Sequence, residues 1–129
     1  MKVIVSGTRD LPDAAERLER VMAYVQGDLG IIPTRIIHGA SGNVDWAADA
    51  WAKARGLGVT KYPADWTKYG KAAGPIRNGH MADDGDYLVA LWDGKSRGTG
   101  DMMRRMDDRR KPYCIYRTDL GLYHRIGDS

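Results

Sequence analysis

Val3-Ile4-Val5-Ser6-Gly7-Thr8-Arg9-Asp10 is an apolar run that breaks into a small, polar turn. A second stretch repeats that grammar. Tyr87-Leu88-Val89-Ala90-Leu91-Trp92 runs into Asp93-Gly94-Lys95-Ser96-Arg97-Gly98-Thr99-Gly100-Asp101 and then a predicted helix. A strand that ends in such a turn and starts a helix aims backbone N–H groups at one spot, with the positive end of the helix dipole behind them. Glycine belongs there because a β-carbon would keep a ligand off the backbone. Two such loops in one chain predict a nucleotide-type ligand.

Outward from these loops the apolar period switches repeatedly. Residues 2–6 read as a buried strand and 12–26 as a helix with Ala15, Leu18, Val21, Met22 and Val25 on one face. Arg35-Ile36-Ile37-His38 is a short strand closed by Gly39-Ala40-Ser41-Gly42. A helix follows to about Arg55, striped by Val44, Ala47, Ala48, Trp51 and Ala54. Val59-Thr60-Lys61-Tyr62 is the third strand, stopped by Pro63. The stretch 64–71 is the least regular, and a helix from about Ala72 to Ala82 follows, its start set by Gly74-Pro75. Strand four covers 86–91, the next helix about 98–109, and strand five 112–116; the polar tail 117–129 has no placement.

Strands alternating with helices predict an α/β domain with a parallel sheet, because each crossover returns the chain in the same direction. In the order 3-2-1-4-5 the sheet reverses between strands one and four. Ligands of such sheets bind outside the strands' carboxyl ends at that reversal. Both glycine loops follow those two strands, so fold and loop chemistry converge on one crevice.

The 129 residues predict one domain, with 2–116 as its core. No apolar run approaches the roughly 20 residues of a membrane span. Met1-Lys2-Val3 enters a strand pattern at once, which predicts no signal peptide, and a cytoplasmic protein is expected. The single cysteine, Cys114, rules out an internal disulfide and reads as a buried thiol. The formal charge of +3 is mild, and in Arg104–Lys111 acidic residues interrupt the basic ones. That run reads as a solvated helix end, without the interleaved aromatics that stack on bases. Nucleic acid is therefore not the expected partner.

A third glycine turn, Gly39-Ala40-Ser41-Gly42, opens a helix at the same edge, and Asp45 in its first turn either offsets the dipole or bonds a ribose hydroxyl. Trp66 and Tyr69 stand in the irregular stretch, as a surface for a base or as packing for their own loop. Arg77 and Asn78 offer planar donors suited to phosphate or ribose, against the plainer reading of a helix surface. His38, His80 and His124 show no metal spacing, so no metal site is expected. Ser6, His38 and Asp45 make a triad on paper only, since Gly-x-Ser-x-Gly is missing. No Gly-Lys-Ser/Thr closes a phosphate loop.

Ser6-Gly7-x-Arg9-Asp10, His38-Gly39-x-x-Gly42-x-x-Asp45, Tyr62-Pro63-Ala64-Asp65-Trp66, Gly70-Lys71-Ala72-Ala73-Gly74-Pro75-x-Arg77-Asn78-x-x-Met81 and Gly94-x-Ser96-x-Gly98-Thr99 occur in that order. Together they resemble the YspA-type, YpsA-related branch of the SLOG superfamily, the Rossmann-like group of Smf/DprA proteins and LOG-type enzymes. The resemblance spans about residues 3–116. It implies a Rossmann-like three-layer sandwich that binds nucleotides or nucleotide-derived ligands, often as a homodimer, with no cofactor.

LOG-type enzymes cleave the N-glycosidic bond of nucleoside monophosphates, using an Arg in Arg-Lys-x-x-Met and a Glu ending Gly-Gly-x-Gly-Thr-x-x-Glu. Arg77-Asn78-Gly79-His80-Met81 resembles the first, with Asn78 in place of Lys. In the second, Met102 takes the glutamate's position and Asp101 stands one residue earlier. A thioether neither stabilises an oxocarbenium ion nor activates water. A one-residue shift on a helix turns a side chain by about 100°.

The leading expectation is a binder of a nucleotide or nucleotide-derived ligand, and the resemblance implies an ADP-ribose-like or cyclic signal met by a sensor or sequestering protein in phage–host conflict. Gly94, Ser96, Gly98 and Thr99 hold phosphate; Ser6, Gly7 and Arg9 line the opposite wall; Gly39 and Gly42 shape the third loop. Arg77 neutralises charge with Asn78 beside it, and Asp101 or Asp45 binds ribose. The rival is a LOG-like N-glycosidase with Arg77 and Asp101 as its catalytic pair. A Smf/DprA-like DNA binder is the third reading.

Overall fold

A computed structural model describes residues 1–127. Twelve segments follow in chain order: β1 (Lys2–Gly7), α1 (Ala14–Gly27), β2 (Arg35–His38), α2 (Asn43–Ala54), β3 (Gly58–Lys61), α3 (Trp66–Tyr69), a 3-10 turn (Gly70–Ala72), α4 (Ala73–Asp84), β4 (Tyr87–Trp92), α5 (Arg97–Asp108), β5 (Tyr113–Arg117) and β6 (Leu122–Ile126). The sheet runs β3-β2-β1-β4-β5-β6. Its first five strands are parallel, as the alternation predicts, in the order 3-2-1-4-5, and the sheet reverses between β1 and β4.

Alternation along the strands builds three layers. Val3 and Val5 point to one face, where they pack with Leu18, Met22 and Val25 of α1 and Val44, Ala48 and Trp51 of α2. Ile4, Leu88, Ala90 and Ile115 point to the other, against Met81 and Ala82 of α4 and Met102 and Met106 of α5. Each large side chain so buried contributes about 1.5–3 kcal/mol. Two expected stripe positions shift by a residue or two: Ala14 and Ala52 are buried, whereas Ala15 and Ala54 face outward.

Three segments differ from the sequence-based expectation. The tail carries β6, which folds back antiparallel on β5 from Tyr113↔Ile126 to Arg117↔Leu122. Its hairpin closes where Gly121, at φ +67, donates its N–H to Arg117 O at 2.7 Å. Asp128 and Ser129 of that tail lie outside the described residues. The irregular stretch contains the single turn α3, capped by Asp65 Oδ1 accepting from Lys68 N at 3.0 Å. Helix α4 starts before Gly74-Pro75, because a first-turn proline gives up an N–H that has no helical acceptor anyway.

The basic run ending α5 fastens helices together. Arg109 Nε bonds Asp83 of α4 at 2.7 Å, while Arg105 Nε bonds Asp101 within α5 at 3.0 Å. Lys111 Nζ donates to the carbonyls of Ala82, Asp83 and Gly85 at 2.7, 3.1 and 2.8 Å, closing the C-terminus of α4. No described helix is long and apolar enough to cross a membrane.

Candidate ligand cleft at the sheet reversal

Parallel pairing of β1 with β4 sets Gly7 beside Leu91, so the turns that follow both strands emerge at one edge. Thr8 Oγ1 ties them, accepting from Asp93 N at 3.1 Å and meeting Ser96 Oγ at 3.3 Å. The third loop joins through Asn43 N donating to Arg9 O at 2.9 Å and Arg9 Nε to Ser41 O at 3.2 Å. The loops and the first turns of α4 and α5 enclose a cleft of about 660 Å³. Of the expected site residues, Ser6, Gly7, Arg9, Gly39 and Asp45 line it from the first and third loops. Arg77, Asn78, Ser96, Gly98 and Asp101 line it from α4 and α5. Gly42, Gly94 and Thr99 are not among its walls.

Four of the five glycines serve the protein rather than a guest. A β-carbon on Gly7 would stand 2.7 Å from Val44 Cγ2 and 2.8 Å from the carbonyl oxygen of Leu91. On Gly42 it would stand 2.8 Å from Arg9 O, and on Gly39 it would enter the Arg77 guanidinium. Gly94 sits at φ +81 with Arg117 against it. Gly98 differs, since a β-carbon there meets nothing within 4 Å. Of these five, Gly98 alone leaves open space beside the backbone.

The start of α5 is where main-chain donors are free. Ser96, its N-cap, makes no side-chain cap bond. Asp93 Oδ1 accepts from Lys95 N and Ser96 N at 2.9 and 2.8 Å, which organises the turn. Those amides, Ser96 foremost, hold the Asp93 carboxyl below its ordinary range. The N–H of Gly100 already reaches Ser96 O at 3.2 Å. The N–H groups of Arg97, Gly98 and Thr99 have no acceptor among the described residues. Such a trio at a helix N-terminus suits an anion.

Arg77 and Asn78 sit at the cleft, but mostly as framework. Arg77 Nη1 donates to Gly39 O at 2.6 Å and Tyr62 O at 3.3 Å, and Nε donates to Asn78 Oδ1 at 3.0 Å. Its Nη2 alone has no partner among the described residues. Burial pulls the Arg77 pKa down, against the attraction of Asp45. Asn78 Nδ2 donates to Gly98 O at 3.1 Å and Asp101 Oδ2 at 3.0 Å. Buried amides of this kind position neighbours more than they bind guests.

The helix phase separates Asp101 from Met102. Asp101 lines the cleft, while Met102 is fully buried under the sheet. Asp101 Oδ2 also accepts from Arg105 Nε at 3.0 Å, leaving Oδ1 open. Asp45 Oδ2 accepts from Ser41 N and Ser41 Oγ at 3.0 and 3.1 Å, again leaving Oδ1. His38 belongs elsewhere. Its Nδ1 accepts from Ala40 N at 3.0 Å, so Nε2 carries the proton toward Asp49 Oδ1 at 2.9 Å. Both ring nitrogens are engaged, and no base remains for Ser6.

Further walls were not named as ligand groups by sequence reasoning: Lys95, Arg97, Arg104 and Trp92. Helical spacing carried a signal for two of them. Arg97, Asp101 and Arg104 recur at i, i+4 and i+7, opposite the buried stripe Thr99, Met102 and Met106. Trp66, weighed as a base platform, does line the cleft; Tyr69 does not. Trp66 lies over Gly74, where a β-carbon would stand 3.4 Å from its ring. Among the described residues no three His, Cys, Asp or Glu side chains gather as a metal site.

A family model described as YAcAr, the YspA, cpYpsA-related SLOG family, matches residues 1–69. The Gene 61 protein of Mycobacterium phage D29 is 39% identical over 75 residues, covering 54% of this chain and 60% of the relative. The match thus spans less than two thirds of that relative's length.

Proposed function

Given that the chain belongs to the YspA, cpYpsA-related SLOG family, we propose that it captures a nucleotide-derived small molecule at the carboxyl edge of its sheet. The observation carrying this reading is the trio of acceptor-free N–H groups on Arg97, Gly98 and Thr99, beside the open space at Gly98. A phosphate there accepts the main-chain donors and meets the positive end of the α5 dipole. Trp66 offers a face for a base. The Oδ1 atoms of Asp45 and Asp101 offer acceptors for ribose hydroxyls. The phage-encoded relative supports sensing or sequestration of a signal nucleotide in phage–host conflict as the setting.

Isothermal titration with a panel of nucleotides, cyclic nucleotides and ADP-ribose tests the proposal. Saturable heat from at least one member is expected; none, with folded protein, overturns it. Native mass spectrometry of protein purified from cells reads any retained ligand and the subunit count. That count is expected to be two.

The placement of Asp101 favours one second reading, an N-glycosidase. In that reaction water adds to the sugar's anomeric carbon and the base leaves with a proton, and a carboxylate supports the cationic transition state. Release of free base, followed by chromatography and abolished by Asp101→Asn, would decide for it.

A further inference from the structure

Lys95, Arg97 and Arg104 are exposed, line the same cleft, and have no ion pair or side-chain hydrogen bond among the described residues. The chain's other cleft cations are partly engaged: Arg9 bonds Ser41 O, and Arg77 bonds Gly39 O and Tyr62 O. Asp101 lies between Arg97 and Arg104 on α5, but its Oδ2 is held by Arg105 and Asn78. Five cations therefore face two carboxylates around one concavity. Three unpaired like charges focused in a cleft repel one another and raise the local concentration of anions.

We infer that the cleft selects a nucleotide bearing at least two linked phosphates over the matching monophosphate. The inference rests on the function proposed above and names its ligand class. One phosphate, with about two negative charges near neutral pH, satisfies the N–H trio of α5. A second lies within the field of Arg97, Arg104 and Lys95, whose charge the first leaves uncompensated. Arginine forks bind phosphate oxygens in pairs, so the two arginines suit a second phosphate.

A free nucleotide fits better than a nucleic-acid strand. The cleft's volume of about 660 Å³ lies in the range of small-molecule sites. Only two aromatic side chains line it, and Trp92 already has Arg117 over its ring at 5.4 Å. One face, that of Trp66, remains for one base. Strands bound without sequence preference stack successive bases on successive aromatics.

Isothermal titration of the full chain at fixed ionic strength compares AMP with ADP, GMP with GDP and CMP with CDP, alongside inorganic pyrophosphate and a twelve-residue oligothymidylate. At least one diphosphate is expected to bind about tenfold or more tightly than its monophosphate. Arg97→Gln with Arg104→Gln is expected to shrink that ratio to about threefold or less. Both positions are exposed, so thermal unfolding should confirm an intact fold. Arg20→Ala, which removes a charge from α1 outside the cleft, is expected to leave the ratio unchanged. Equal mono- and diphosphate binding, or an unchanged ratio in the double variant, overturns this inference and leaves the site's function standing. Tighter binding of the oligonucleotide than of any diphosphate also overturns it. Absence of binding by these ligands and by cyclic nucleotides and ADP-ribose alike overturns the proposed function itself.

Discussion

Asn78 Nδ2 donates to Asp101 Oδ2 at 3.0 Å, and through that bond α4 fixes the first turn of α5. The same nitrogen holds Gly98 O at 3.1 Å, while Asn78 Oδ1 accepts from Arg77 Nε at 3.0 Å. One buried amide thereby joins the N-terminal turn of α5, the cleft carboxylate and the arginine that braces the third loop.

Replacing Asn78 by Ala removes three hydrogen bonds and leaves Arg77 Nε and Asp101 Oδ2 short of a partner. Asn78→Ala is expected to cost about 1–3 kcal/mol in urea unfolding and to weaken nucleotide binding as well. Full stability in that variant would refute the bracing role.

Gly7 and Gly98 look alike in the sequence, each in a turn after a strand, yet opposite outcomes are expected. Gly7→Ala drives a β-carbon into Val44 and the Leu91 carbonyl, at a cost of about 1–3 kcal/mol. Gly98→Ala meets no protein atom and lies on helical backbone, so stability holds or rises by up to about 1 kcal/mol. Ligand affinity should fall about tenfold or more, because the methyl group stands where the anion approaches the backbone. Unfolding curves and titrations on both variants check the pair.

Lys111 tests the helix closure independently of the cleft. Lys111→Met keeps the aliphatic stem but frees three carbonyls at the end of α4. A loss of about 1–3 kcal/mol is expected, with nucleotide affinity unchanged. Altered affinity at unchanged stability would contradict this assignment.

Acid dependence follows from Asp84, which accepts from Lys2 Nζ at 2.7 Å and Tyr62 Oη at 2.8 Å. The Lys2 hydrogen bond is the main cause holding Asp84 below its ordinary 3.8. Reciprocally, the bond to Asp84 raises Lys2 above 10.5 and Tyr62 above 10.0. A carboxyl depressed by folding contributes stability above its unfolded value and loses it as pH falls through the folded one. Raised lysine and tyrosine contribute below their unfolded values and lose it as pH rises. The urea-midpoint difference between the natural chain and Asp84→Asn should therefore be flat from about pH 5 to 9 and shrink below about pH 4. A difference unchanged down to about pH 2 would rule out the ion pair as its source.

Much of the cleft's position in the fold was legible because it depends on local chemistry. The runs at Val3–Val5 and Tyr87–Leu91 are apolar on both faces, as strands covered by helices on two sides must be. Arg104 was read as part of a solvated helix end because its run alternates sign; only the phase of α5 separates it from Arg105 and Arg109. Strand β6 was missed because it is an exposed edge whose pairing depends on β5 rather than on its own pattern.

The amino-acid order alone determined the alternation of strands and helices, and with it which loops gather at the sheet's carboxyl edge. Hydrophobic period and turn chemistry are properties of neighbours along the chain. What each glycine makes room for, which of Asp101 and Met102 turns toward the cleft, and which cleft cations stay unpaired among the described residues were decided by tertiary structure. Those outcomes depend on atoms brought together from residues dozens of positions apart: Gly7 against Val44, Gly39 against Arg77, Asn78 against Asp101.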